Sequence, residues 1–379
     1  MNERPRVSRT GARQVLIYGD SVRDPAIRHE VPVAIGDRIL FAESGGRRTV
    51  VTTELERAKL RQIPGLEVHT LEEFGLYELL GSDLAGGDAI EETFVRAVVQ
   101  LGITAAVVPA DFALGFAERL RARGVSVTPD RAYFAARRRM KNERELAGIR
   151  RAQRAAETAM AAAADLLRNP RGRNLTSERV KSVISRTLAD HGCRSDTFIV
   201  ASGAQAALGH DRGSGPIRPG EPIVIDIGPR EMESGCFADM TRTFVLGDPP
   251  DELVDWQRMV LAALQQAVAG CQVAAQTHEL YHATCNLFED AGFATRRTAV
   301  PSLPLSEGFT HALGHGVGLE LHEPPFLGMS HDTLSAGDVV AVEPGLYRKG
   351  FGGVRLEDLV LITEGGPENL TSYPYDLKP

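Results

Sequence analysis

Short apolar runs and helical periodicities alternate through the first third of the chain. Runs at 15–18, 39–42, 49–51, 105–108 and 125–127 predict strands, and the spacing of apolar positions over 54–62, 90–101 and 114–123 predicts helices. Gly124 stands where a helix C-terminal glycine belongs. This alternation predicts a small α/β domain. From residue 142 the texture changes. Leu146, Ile149, Ala152, Ala156, Met160, Ala163 and Leu167 recur at helical spacing, Asn142 and Glu145 read as a capping pair, and Asn169-Pro170 ends the helix. A second helix is expected over 177–191, stopped by Gly192. Strands follow at 197–201, 222–227 and 237–246. Helices are then expected at 251–270 and 277–291, the latter with Thr277 as N-cap, and strands again at 339–342 and 359–362. The order helix, helix, sheet thus occurs twice, an α+β pattern with the look of a duplicated half. The run Arg137-Arg138-Arg139 reads as a solvated interdomain turn. The expected organisation is a disordered tail at 1–14, an α/β domain at 15–138 and an α+β domain at 139–379.

Composition changes this picture little. The chain has 379 residues, 43% hydrophobic and 25% charged, values of an ordinary globular protein of two or three domains. The formal charge of -7 argues against a broad nucleic-acid surface. Only five of the 43 basic residues are Lys, which reads as the codon bias of a GC-rich genome. Residues 1–14 hold four Arg and no apolar run of the kind a secretory signal needs, and no stretch approaches a membrane span. Cys193, Cys236, Cys271 and Cys285 are scattered without C-x-x-C spacing, which reads as reduced thiols in a cytoplasmic protein.

The informative residues are carboxylates that interrupt apolar strands. Asp226 sits in PIVIDIG, and Asp239 follows thirteen residues later in ADMTRTF, after a turn-like stretch at 229–235. Glu343 closes VVAVEPG, and Glu357 lies in GGVRLEDLV. An unpaired buried carboxylate costs several kcal/mol, so four of them call for bound cations. Three of the ten histidines, His311, His315 and His322, fall within 310–323, with Gly314, Gly316 and Gly318 around His315. One imidazole plus four carboxylates is an oxygen-rich set that suits Mn, or Co, Fe or Zn, more than copper. Enough carboxylates exist to bridge two ions, the arrangement of two-metal hydrolytic sites.

With these motifs in this order, segment 142–379 resembles the pita-bread metallopeptidases of family M24: methionine aminopeptidase, Xaa-Pro aminopeptidase and prolidase. The resemblance spans about 240 residues and implies a pita-bread catalytic domain. It implies that Asp226, Asp239, His315, Glu343 and Glu357 hold two divalent metal ions, Mn foremost, with Asp239 and Glu357 bridging. Glu343 would also accept the proton of the attacking water. His322 would steady the tetrahedral intermediate, His311 and Arg355 would lie in the substrate site, and His210 would contact substrate. The α/β first third resembles the creatinase-type domain of the Xaa-Pro branch, which limits access to short peptides. It implies a homodimer or homotetramer, with no nucleic-acid or membrane partner.

Some details depart from the family. The spacing from His210 to Asp226 is 16 where 17 is usual, and that from Asp226 to Asp239 is 13 where 11 is usual. His210 is followed by Asp211 and then, one residue on, by Gly213, and residues 324–338 contain no Arg to hold a substrate carboxylate, as prolidases tend to have. Three other readings compete. Creatinase-type chemistry works without the metal set. Non-catalytic peptide-binding relatives lose ligands that are present here. Hydrolysis of a non-peptide amide, such as an ectoine-type substrate, is the third.

Overall fold

The structure, a computed structural model, describes residues 13–170, 174–196, 198–300 and 305–379. The chain divides into two compact units, Met1–Arg138 and Arg139–Pro379. In the first, six strands form one mixed sheet in the order Leu66–Thr70, Arg47–Thr52, Ile39–Ser44, Gln14–Gly19, Ala105–Val108 and Ser126–Pro129. Gln14–Gly19 and Arg47–Thr52 both run antiparallel to Ile39–Ser44, and the other neighbours are parallel. Alternate residues of Gln14–Gly19 face opposite cores, Leu16 and Tyr18 one and Val15 and Ile17 the other. The sheet is therefore buried on both faces, as an α/β layer requires.

Several expectations need correcting here. Residues 1–12 of the expected tail lie outside the described residues, and Gln14 already opens the first strand. The strand Leu66–Thr70 and the short helices Pro25–Glu30 and Leu76–Leu80 were not foreseen, being too short for a clear period. The basic run 137–139 ends a helix, Arg131–Arg139, and is no solvated turn. Arg137 pairs with Glu30 and Glu43 at 2.6 and 2.7 Å, and Arg139 binds the buried Asp338 at 2.7 Å.

The second unit contains two similar halves. The helices Glu143–Arg168 and Ser177–Asp190 pack through Ala156, Met160, Val180 and Ile184 onto Ile223, Ile225 and Ile227 of a three-stranded antiparallel sheet. The first helix begins in a reciprocal cap. Asn142 Oδ1 accepts from the Glu145 amide at 2.9 Å and Glu145 Oε2 accepts from the Asn142 amide at 3.0 Å. The helices Asp251–Gly270 and Thr277–Asp290 cover a five-stranded antiparallel sheet through Val260, Leu264, Tyr281 and Phe288, against Val340, Val342, Val360 and Ile362. Thr277 does not cap its helix. Gln276 holds the N-cap position, and the Thr277 hydroxyl donates to the Ser330 carbonyl at 3.2 Å.

The two sheets meet at one backbone bridge between Thr241 and Glu357, where the Glu357 amide donates to the Thr241 carbonyl at 3.1 Å. Arg242 locks this junction from below. It is 1% exposed, and its guanidinium makes five hydrogen bonds. Nη1 donates to the carbonyls of Thr241 and Glu357 at 2.9 and 2.8 Å, Nη2 to Asp358 Oδ1 and the Tyr373 carbonyl at 2.9 and 2.8 Å, and Nε to the Pro374 carbonyl at 2.8 Å. Asp358 is completed by the Tyr375 hydroxyl and the Asn369 amide. Removing one partner of such a pair strands a buried charge. Arg242→Ala is expected to cost about 3–5 kcal/mol. Urea unfolding followed by the fluorescence of Trp256, the single tryptophan, measures this within the second unit; a loss below about 1 kcal/mol would show that the junction does not depend on the guanidinium.

Candidate metal centre

The strand Pro222–Ile227 pairs with Met240–Val245 so that Asp226 faces Thr241 across the ladder. With Ile223, Ile225 and Ile227 turned to the helices, the alternation turns Asp226 to the other face, and Thr241, two residues beyond Asp239, joins it. The other carboxylates lie at strand ends. Asp239 precedes Met240–Val245, Glu343 follows Val339–Val342, and Glu357 occupies the gap between Gly352–Arg355 and Asp358–Thr363. His315 is central in the short strand Gly314–Gly316. Its flanking glycines have a steric cause. A Cβ at Gly314 would come within 1.9 Å of the Ala341 carbonyl, and one at Gly316 within 2.6 Å of two carbonyl oxygens. Gly228 likewise leaves room for Asp239, whose Oδ1 would lie 3.3 Å from a Cβ there.

All nine residues singled out in the sequence line one cavity of about 720 Å3: His210, Asp226, Asp239, His311, His315, His322, Glu343, Arg355 and Glu357. Among the described residues, Asp239, His315 and Glu357 bring ligand atoms within 4.8 Å of one another. His315 Nε2 lies 3.6 Å from Glu343 Oε1 and 3.8 Å from Asp239 Oδ2. His315 Nδ1 donates to the Gly316 carbonyl at 3.1 Å, which leaves the Nε2 lone pair aimed at the carboxylates. Burial, aided by the charge of His322, lowers the His315 pKa to about 3, so the ring is neutral. Asp226, held by Arg355 Nη2 at 2.5 Å, adjoins Asp239 of this triad. His210 and His322 are exposed at the rim, and the His322 ring lies 4.2 Å from that of His315.

Two further polar residues, the buried Tyr347 and Thr241, support the lining residues from behind, and sequence reasoning missed both. The buried Tyr347 hydroxyl lies 2.8 Å from His311 Nε2 and 3.2 Å from Arg355 Nη1. Because His311 Nδ1 must donate to the Ala312 carbonyl at 2.7 Å, a neutral ring accepts at Nε2 from Tyr347, which in turn accepts from Arg355. Burial, followed by the Arg355 charge, lowers the His311 pKa to about 3, consistent with that tautomer. Tyr347 pairs across the hairpin with Gly353, where a Cβ would meet its ring at 2.3 Å. That aromatic opposite glycine, four residues after Glu343, was the available signal. Thr241 donates to Glu357 Oε2 at 2.8 Å, and its signal was the two-residue step from Asp239.

The donor set fits divalent cations. Asp239 Oδ1 is buried without a hydrogen-bond partner. Burial, then the neighbouring carboxylates, hold Asp239 and Glu357 well above the usual carboxylate range. Burial lifts Glu343 to about 7, opposed by Arg355 and aided by Asp226. Asp239, Glu343 and Glu357 are therefore driven to hold protons unless cations replace them.

Comparison with known proteins decides the family. Residues 147–364 match the model of metallopeptidase family M24. The chain belongs to this family. It is 32% identical over 242 residues to an Xaa-Pro dipeptidase of Pyrococcus horikoshii, a match over 63% of this chain and 64% of the relative's length. The prolidase structure from Pyrococcus horikoshii superposes with a TM-score of 0.77 at 26% identity, over 96% of this chain and 95% of that one. An X-Pro aminopeptidase structure from Thermotoga maritima superposes at 0.79 and 23% identity, over 96% of each chain. The fold is thus the pita-bread fold preceded by an α/β domain, as the resemblance implied. Among the described residues no helix is long and apolar enough to cross a membrane.

The raised pKa values have a signed consequence. A carboxyl raised in the folded state stabilises the metal-free protein below its unfolded value and loses that contribution as pH rises through its folded value, for Glu343 between about 4.5 and about 7. A cation that takes the proton's place reverses the loss and releases protons. Added Mn2+ is therefore expected to raise the melting temperature more above pH of about 7 than near about 5, with proton release measurable in weak buffer. Equal shifts at both values would mean that the ion does not bind these carboxylates.

Proposed function

We propose that the protein is an Xaa-Pro peptidase that cleaves short peptides between an N-terminal residue and proline. The observation that carries this reading is the convergence of Asp239, His315 and Glu357 beside Glu343 on the wall of a cavity of about 720 Å3, a volume suited to a small ligand. The naming of relatives as Xaa-Pro dipeptidases supports the substrate class. In this reading Asp226, Asp239, His315, Glu343 and Glu357 would hold two divalent ions, Mn by preference. Such ions polarise the scissile carbonyl and lower the pKa of attacking water.

The protein's own groups do the rest. Glu343, a buried carboxyl on the cavity wall, receives the water's proton and returns it to the departing proline nitrogen. That nitrogen carries no hydrogen in the peptide, so its protonation is essential. Arg355 fixes Asp226 while the Arg355–Tyr347–His311 chain holds three donors and acceptors in a single orientation. His322 at the rim donates toward the developing oxyanion, and His210, also at the rim, contacts the substrate. In a homodimer or homotetramer the N-terminal α/β unit of one subunit limits entry to the site of its neighbour to short peptides.

A panel of Xaa-Pro dipeptides, longer Xaa-Pro peptides, Met-peptides and cyclic amides, with Mn2+ present, tests the assignment. Release from Xaa-Pro substrates alone is expected, and hydrolysis confined to cyclic amides would contradict it. Glu343→Gln is expected to lower kcat by about 10²–10⁴-fold, as removal of a general base does, with the far-UV circular dichroism unchanged. Retained turnover would refute its role as base.

A further inference from the structure

Three more histidines meet elsewhere on the C-terminal unit, and none of them lines the cavity. His278 and His282 are one turn apart on the helix Thr277–Asp290, and His331 comes from the segment between the strands Glu323–Leu327 and Val339–Val342. The His278 ring centroid is 4.4 Å from that of His331 and 5.9 Å from that of His282, edge to face in both cases. Two imidazoles on one divalent ion, with metal–nitrogen bonds of about 2.0–2.1 Å and near-tetrahedral angles, place their centroids about 5 Å apart. The observed separations bracket that value.

A second observation points the same way. His278 Nδ1 is buried and has no hydrogen-bond partner. A nitrogen sealed from water without a partner costs free energy that a bound ion removes. The ligand atoms of this triad stand farther apart than those of Asp239, His315 and Glu357, which all fall within 4.8 Å of one another. Side-chain rotation closes the triad, which the exposure of His331 and the part-exposure of His282 permit.

The backbone on either side is already fixed. The Thr277 amide donates to the Asp332 carbonyl at 2.9 Å, the Leu334 amide to the Ala275 carbonyl at 2.9 Å, and Gln276 Nε2 to Thr333 Oγ1 at 3.0 Å. These bonds hold the His331 segment against the first turn of the helix.

We propose that His278, His282 and His331 form a separate site for a borderline divalent transition ion of the zinc, nickel and copper class. Three nitrogen ligands favour such ions over manganese, which prefers oxygen donors and so the carboxylate cavity. The ion fastens the segment 328–338 to the helix. Asp332 in that segment accepts from the Phe326 amide at 3.1 Å, and Phe326 lines the cavity, so the ion braces one wall of it.

Mn-loaded full-length protein, equilibrated with Zn2+ near neutral pH and analysed for total bound metal, tests the site. His282→Ala and His331→Ala are each expected to hold one ion per chain fewer than the wild type. Their zinc affinity at this site is expected to fall about tenfold or more. Zinc is expected to raise the melting temperature of the wild type and not of the variants, while the far-UV circular dichroism of the variants stays unchanged. The difference in count is independent of what the carboxylate centre holds, because both proteins keep that centre. His331 is exposed, so loss of the ion in His331→Ala cannot be ascribed to misfolding. Equal metal content and equal zinc-dependent melting in wild type and both variants would overturn the site.

Discussion

Four carboxylates and the neutral imidazole of His315 share the wall of a single cavity with one buried guanidinium, that of Arg355, and the C-terminal unit is organised around that imbalance. Asp239 and Glu357 are almost fully buried, and Arg355 neutralises chiefly Asp226. Like charges this close cannot all ionise in a poorly solvated space, which is why burial and mutual repulsion push three of the carboxyls upward. Protons can relieve the repulsion, but they leave an unpartnered oxygen on Asp239. Divalent cations would relieve it and would give that oxygen a partner. Neutral His315, with Nδ1 tied to a carbonyl, adds a nitrogen donor without adding charge.

Holding such a cluster requires a frame that does not yield. The bridging candidates Asp239 and Glu357 come from different sheets, and the sheets join at the Thr241–Glu357 bridge. Thr241 serves both levels of the design, its carbonyl in the backbone bridge and its hydroxyl on the Glu357 carboxylate. Beneath it, Arg242 gathers the carbonyls of Thr241, Glu357, Tyr373 and Pro374 onto one guanidinium. The C-terminal segment is in this way part of the support for the cluster. The planar five-donor fork of Arg suits this task in a way that Lys does not.

Much of this was legible in the sequence because the physics there is local. The helix Glu143–Arg168 declared itself by period and by its Asn142–Glu145 cap. The strand carboxylates stood out because nothing else polar accompanies Asp226 in its strand. The failures have equally specific causes. Arg137 and Arg139 read as a solvated turn because their partners, Glu30, Glu43 and Asp338, are remote in sequence. Thr277 read as a cap because composition does not reveal that its hydroxyl turns to Ser330. Tyr347 and Thr241 went unremarked because a hydroxyl gains its role only from what folding brings beside it. The longer spacing of 13 between Asp226 and Asp239 is taken up by the excursion at 229–238, in which the Ala238 amide returns to the Pro229 carbonyl at 3.0 Å. Both side chains therefore still reach the same cavity.

The central claim is that this cluster of carboxylates is a two-ion centre. Anomalous diffraction from crystals grown with Mn2+ tests it most directly. The account predicts two peaks about 3.5–4 Å apart, with Asp239 and Glu357 between them and His315 Nε2 on one. No peak in the cavity, or one that leaves Asp239 and Glu357 uncoordinated, would contradict it.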